Sequence, residues 1–117
     1  VLEELRKRTT YIEVKNEAFV PVRILVNDII CAYTEKNYVI LKTERGMFQV
    51  RTTLVEFEAA YGAFPFACPS KGMLVNLSYI DHIDYDRAVI YLKKGCGNIP
   101  VSRRKRKEFF NQYARGI

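Results

Sequence analysis

Five cationic side chains stand in a row at Arg103, Arg104, Lys105, Arg106 and Lys107, inside the stretch IPVSRRKRKEFF at 99–110. Ser102 before them has the residue type of a helix N-cap, and Phe109, Phe110 and Tyr113 fall on one side of the helix that would follow. A helix N-terminus carries a partial positive charge, so each cation placed there costs a few tenths of a kcal/mol up to about 1. A purely structural helix would put Asp or Glu at 103–106, whereas here Glu108 arrives late. A local rule broken without evident compensation points to a functional site. Helix-start amides and guanidinium groups both favour phosphate, so an anion at this corner would relieve the conflict. The competing reading is a run of solvated charge that only keeps the surface wet. A nuclear-localisation reading of RRKRK is weakened by the run's place inside a helix with apolar residues to pack.

Other constellations carry less. DHIDYD at 81–86 puts His82, Asp84 and Asp86 on one side of a strand. The loop spacing and bidentate Glu of a calcium hand are missing, so a solvated strand end is preferred over a metal site. Cys68 or Cys96 with His82 would make a nucleophile pair without an orienting third group, and cysteine is more often a small buried hydrophobe. No glycine-rich phosphate loop, nucleophile elbow or paired-carboxylate pattern occurs. The expectation is a protein that is not an enzyme and uses neither cofactor nor metal. Cys31, Cys68 and Cys96 are odd in number, lack a CxxC spacing and share the chain with one histidine, which argues against a four-ligand zinc site. Unpaired thiols suit a reducing compartment, and cytoplasmic localisation is expected.

The 117 residues suffice for one domain, and 49% hydrophobic with 27% charged residues is a globular mixture rather than a disordered one. No apolar stretch is long enough to span a bilayer. The net charge of +6 is uneven: residues 81–117 hold nine basic against four acidic groups, while residues 1–40 hold six of each. Concentrated basicity suits an anionic partner, either nucleic acid or an anionic membrane surface. The chain opens on Val1, and residues 1–10 read as a linker or the tail of a preceding region.

The elements that must position the basic corner are mostly strands. YIEVK alternates, with Ile12 and Val14 on one face. AFVPVRILV is apolar, and Pro21 places it at a sheet edge. IICAYT and YVILKT flank EKN, and MFQVRT follows ERG. TLVEFEAAYG is a helix near 53–61, with capping-box spacing between Thr53 and Glu56, Leu54, Phe57 and Tyr61 on one face, and Gly62 as the stop. FPFACPSKG reads as a loop, punctuated by Pro65, Pro69 and Gly72. MLVNL, YIDHIDY, AVIYLKK and NIPV read as strands, with GCG a turn, and a C-terminal helix is expected near 103–115. Tyr38 and Tyr91 read as half-buried strand residues rather than base-stacking platforms.

In this order the pieces NDIICAYTEKNYVILKT, TLVEFE, FPFACPSKGMLVNLSYIDHI and IPVSRRKRKEFF resemble a LytTR DNA-binding domain, the effector domain of many bacterial response regulators. The resemblance runs from about Tyr11 to Phe110, with 11–117 taken as the domain, and MLVNLSYI and IPVSRR are its most specific pieces. It implies an elongated, mostly β fold of antiparallel sheets with short helices, acting as a transcription factor whose loops enter successive major grooves. The implied base contacts come from three places. The first is the loop at Glu35, Lys36 and Asn37, with Asn37 in the reading position and Tyr38 beside it. The second is Ser70 and Lys71, and the third is Arg103 and Arg104, with Arg104 the best match to a base-reading arginine. Members usually carry Phe-x-Arg-x-His-Arg-Ser ahead of the VN pair; here Cys68, Ser70, Lys71 and Gly72 stand where Arg, His, Arg and Ser are common. Asn76 is taken as structural. The resemblance also implies double-stranded DNA with repeated sites as partner and a monomer off DNA that pairs on it. It is compatible with an N-terminal receiver domain in the intact protein of a two-component system, with a stand-alone regulator, and with one tethered to a membrane segment.

The residue chemistry supports the same reading. Asn suits bidentate recognition of adenine, and Arg or Lys suits guanine N7 and O6. Short polar segments on separate loops of a rigid sheet fit readout without a recognition helix. The alternative function is a protein-interaction or anionic-surface-binding module that uses the basic C-terminal corner.

Overall fold

The computed structural model describes residues 10–115, so the segment read as a linker lies, apart from Thr10, outside the described residues. The chain divides into two compact units, one ending at Phe64 and one beginning at Pro65. Both are mostly β and antiparallel.

The first unit holds strands β1 (Tyr11–Lys15), β2 (Pro21–Leu25), β3 (Cys31–Glu35), β4 (Tyr38–Thr43) and β5 (Gly46–Val50), in the order β2-β1-β5-β4-β3. Alternation in YIEVK places Ile12 and Val14 in the core while Tyr11, Glu13 and Lys15 face out, as period-2 burial requires. Pro21, which has no N–H to give a ladder, opens β2, and within this unit β2 pairs only with β1. Val39 and Leu41 of β4 are fully buried, as is Ala32, the cross-strand partner of Leu41 in β3. Helix α1 (Leu54–Tyr61) packs against β3, and its buried Phe57 lies with its ring tilted at 49° to that of Tyr61, 5.1 Å away. Its start is built as the sequence implies: Thr53 Oγ1 accepts a hydrogen bond from the Glu56 amide at 3.1 Å. Glu56 completes a different bond, accepting from Thr52 Oγ1 at 3.2 Å. The helix stops at Gly62 with φ −64°, so glycine is not needed there for a left-handed turn. A Cβ there would stand 3.0 Å from the Glu58 carbonyl oxygen, a tight contact that the helix end would relieve by a small shift.

The second unit corrects one expectation. FPFACPSKG is not a loop: it forms β6 (Phe66–Ser70) and a two-residue turn at Lys71 and Gly72 before β7 (Met73–Asn76). Two residues of β6, Cys68 and Pro69, lie opposite the single Leu74 of β7. That bulge is where a proline costs a strand least, since its missing N–H falls where the ladder is already interrupted. Pro69 is fully buried, and Gly72 takes φ 81° to close the turn. After a 3-10 turn at Leu77–Tyr79 come β8 (Ile80–Asp84), β9 (Val89–Leu92) and β10 (Asn98–Pro100), ordered β10-β9-β8. Asn76 is structural as read: it is buried, and its Oδ1 accepts from the Ser78 amide at 3.0 Å. A second bulge in β8 before His82 shifts the alternation, which is why Ile80 and Ile83, an odd number of residues apart, are both buried. The C-terminal helix begins as a 3-10 turn at Arg103–Lys105 and continues as α2 (Arg106–Ala114). Phe109 is its fully buried anchor, and Phe110 meets Tyr85 edge-on at 4.9 Å.

Candidate nucleic-acid interface

The first candidate segment is a hairpin tip. Glu35 and Tyr38 are the last cross-strand pair of β3 and β4, so Lys36 and Asn37 form a two-residue connection, both exposed. Lys36 holds φ 55°. A left-handed conformation costs a non-glycine residue roughly 1–2 kcal/mol. The hairpin geometry, and not residue preference, therefore sets how this tip is presented. Tyr38 is half-buried in β4.

The second and third candidate segments belong to the same unit. Ser70 ends β6 and Lys71 is the exposed residue of the turn that follows. Cys68 Sγ donates to the Ser70 carbonyl at 3.0 Å, within the bulge. The Ser102 amide donates to the Pro69 carbonyl at 2.9 Å, so the bulge that ends in Ser70 also anchors the residue preceding Arg103. The structure thus brings Ser70 and Lys71 into one unit with Arg103 and Arg104, while Lys36, Asn37 and Tyr38 belong to the first unit.

At the basic corner Ser102 occupies the N-cap position with φ −66° and ψ 152°, but its side chain makes no capping bond. Its carbonyl accepts from the Lys105 amide at 3.0 Å instead. The expected serine cap is therefore replaced by a backbone turn, and no side chain caps α2 either. Arg103, Arg104 and Lys107 are exposed, while Lys105 and Arg106 are half-buried. Among the described residues none of these five cations has a carboxylate within 4.0 Å; the ion pair present joins Arg87 to Asp84, and His82 Nδ1 is hydrogen-bonded to Asp81 at 2.8 Å. Arg104, Lys107, Asn111 and Arg115 line a shallow groove along the outer face of α2, with Glu108 the one acidic side chain in it.

His82, Asp84 and Asp86 do not gather. His82 stacks on Tyr91 at 4.7 Å and bonds Asp81, Asp84 accepts from the Arg87 amide, and Asp86 lies in the turn beyond β8. Among the described residues no group of three or more His, Cys, Asp or Glu is placed to hold a metal ion. No disulfide joins Cys31, Cys68 and Cys96. The long-range bond from Ser102 to Pro69 could not be found in the sequence, because it joins backbone groups across 33 positions and one partner sits in an unrecognised strand.

Charge divides with the units. By sequence, residues 1–64 carry nine basic and nine acidic groups, and residues 65–117 carry ten and four. All of the +6 excess therefore belongs to the unit that holds Lys71, Arg103 and Arg104.

The family model of the LytTr DNA-binding domain matches residues 21–114. The chain belongs to this family. The match begins ten residues later and ends four residues later than the resemblance read from the sequence. A solved LytTr DNA-binding domain from Bacillus cereus, taken from a protein described as a methyl-accepting/DNA response regulator, superposes with a TM-score of 0.73. It covers 91% of this chain and 97% of its own at 15% identity, so the likeness is one of fold. No curated protein sequence matches the chain. As a LytTr domain the protein is a DNA-binding domain of transcription regulation, and its family is not one of enzymes. No helix among the described residues is long and apolar enough to cross a membrane.

Proposed function

We propose that this LytTr domain binds double-stranded DNA sequence-specifically, reading successive major grooves from the Lys36–Asn37 tip, the Ser70–Lys71 turn and the Arg103–Arg104 corner. The observation that carries the reading is the corner: five cations at a helix start, three of them exposed, with no carboxylate within 4.0 Å of any of them among the described residues. Phosphate supplies the missing negative charge, and a guanidinium that reaches past it can pair bidentately with guanine. Arg104 is assigned the base contact and Asn37 a second one, to adenine. Lys36, Lys71 and Arg103 position the domain on the backbone, with Tyr38 supporting the first tip. In the cell the domain is assigned to the cytoplasm, as the effector of a bacterial two-component response regulator with a receiver domain. It is a monomer in isolation and pairs on repeated sites.

The test is selection of bound duplexes from a random pool at near-physiological salt, with wild type and Arg104→Ala in parallel. A motif of spaced elements is expected, degraded at one base pair by the substitution, with affinity for the best site falling by roughly 1–3 kcal/mol. Enrichment of no motif, with binding competed equally by any polyanion, would sink the reading in favour of a basic docking surface for proteins or lipids.

A further inference from the structure

The two residues that lead into the basic corner have every backbone polar group engaged. The Val101 amide donates to the Ala88 carbonyl at 2.8 Å, and the Ser102 amide donates to the Pro69 carbonyl at 2.9 Å. The Ser102 carbonyl accepts from the Lys105 amide at 3.0 Å. The Val101 carbonyl accepts from Arg106 Nε at 3.2 Å. Val101 is itself buried, and Ala88, also buried, is held at φ 55° to present its carbonyl. A non-glycine residue adopts that conformation only where its surroundings over-determine it. Val101 and Ser102 are therefore a fixed pivot from which Arg103 and Arg104 project.

Three of the four bonds run between backbone groups, and the fourth comes from a side chain. Arg106 lies half-buried on the first turn of α2, reaching back over the 3-10 turn that carries Arg103 and Arg104. Ser102 provides no side-chain cap and neither does Lys105, so among the described residues Arg106 is the one side chain bonded to the backbone of this pivot. We infer that Arg106 is a positioning residue: its Nε–H brace sets the aim of Arg104, and its charge is secondary to that role. The inference rests on the DNA-reading proposal and deepens it by separating, within one run of five cations, a residue that holds from a residue that reads.

The chemistry allows a clean separation of brace from charge. Glutamine carries an N–H donor at the same bond distance from Cα as arginine Nε, but no charge. Lysine carries a methylene at that position and keeps the charge on a freely rotating ammonium. Arg106→Lys thus removes the brace and retains the charge, and Arg106→Gln does the reverse.

The experiment measures affinity for the selected site and for its variant at the Arg104-dependent base pair, in both substitutions, alone and with Arg104→Ala. Arg104→Ala is expected to reduce the preference at that base pair by about tenfold or more. Arg106→Lys should reduce the same preference by at least about threefold, with an unchanged salt dependence, and should add nothing once Arg104 is alanine. Arg106→Gln should keep the preference and lower the salt slope by at most about one phosphate. The opposite pattern, with preference lost in Arg106→Gln and kept in Arg106→Lys, would overturn the brace and make Arg106 a charge contact. Independent, additive losses would overturn it as well, by making Arg106 a reader in its own right. If Arg104→Ala alone leaves the preference intact, base reading by Arg104 fails first and the brace falls with it. Unfolding midpoints of both variants close to that of wild type are the expected control, since neither substitution touches Phe109; loss of preference accompanied by a collapsed midpoint would make Arg106 a folding residue only.

Discussion

Cys31 shows how burial alone sets the chemistry of one side chain. It is 4% exposed, and burial pushes its thiol above the ordinary value of 9.0, with the Lys42 ammonium opposing part of the shift. Lys42 is its cross-strand partner in β4, which explains why that charge is felt. The thiol should therefore be inert while the fold is intact, because thiolate is the reactive form. Iodoacetamide at mildly alkaline pH is expected to label Cys68 and Cys96 first and Cys31 last; equal labelling rates, measured by mass spectrometry, would contradict the buried placement. The same shift links stability to pH. Below 9.0 the thiol is protonated in folded and unfolded chains alike, and its contribution is fully present. Above 9.0 the unfolded chain ionises first, so stability falls as pH rises toward the folded value. Tyr33 is shifted upward by burial, then by Glu35 and Cys31, and Tyr61 by burial, both from 10.0, so they act in the same direction at higher pH. Between pH 9 and 10 the thermal midpoint of wild type should drop more than that of Cys31→Ala.

At the scale of elements, the two helix starts make contrasting predictions. Thr53 bonds the Glu56 amide, so Thr53→Ala should cost about 1 kcal/mol and lower the unfolding midpoint by a few degrees. Ser102 occupies the equivalent place before Arg103 and makes no such bond, so Ser102→Ala should change stability by no more than about 0.5 kcal/mol. Thermal unfolding of the two variants side by side checks both values. The pair also shows what was legible in the sequence. Thr53, Glu56 and the Phe57–Tyr61 face announced α1 because local spacing and tertiary packing agree there. Ser102 announced the place where the C-terminal helix begins, but not the 3-10 turn or the absent side-chain bond, which depend on Pro69 and Arg106. β6 was hidden because proline is a breaker in any local reading, and only the Cys68–Pro69 bulge opposite Leu74 makes room for it. The hairpins around Lys36–Asn37 and Glu44–Arg45 were legible from short polar turns between β-branched runs. The left-handed conformation of Lys36 was not, since nothing in the residue type prefers it. The candidate site was accordingly readable as three segments. The backbone bond that ties the second to the third was not readable.

For the whole molecule the decisive quantity is how charge is shared between the units. Residues 1–64 are balanced at nine basic and nine acidic groups, and residues 65–117 hold ten against four. Released counterions give log K against log salt a slope of about −0.9 per phosphate neutralised. If the cations act as placed contacts, the slope should come from particular residues of the second unit, with Lys36 the main contributor from the first. Neutralising Lys71, Arg103 and Lys107 together, all exposed, is expected to reduce the slope's magnitude by roughly 2 to 3. Neutralising Lys15, Arg23 and Arg45 together removes the same formal charge from exposed positions of the first unit and should leave the slope nearly unchanged. Fluorescence anisotropy titrations of one labelled duplex between about 50 and 200 mM salt distinguish the two sets. Equal losses would mean that the +6 acts as a diffuse field, which steers encounter without fixing register. In that case the basic corner would attract DNA and the reading would have to come from the uncharged Asn37 and Ser70. Unequal losses, concentrated in the second unit, would make the corner a set of contacts, and the lack of an ion pair to any of its five cations among the described residues would then have its explanation in the phosphates that take that place.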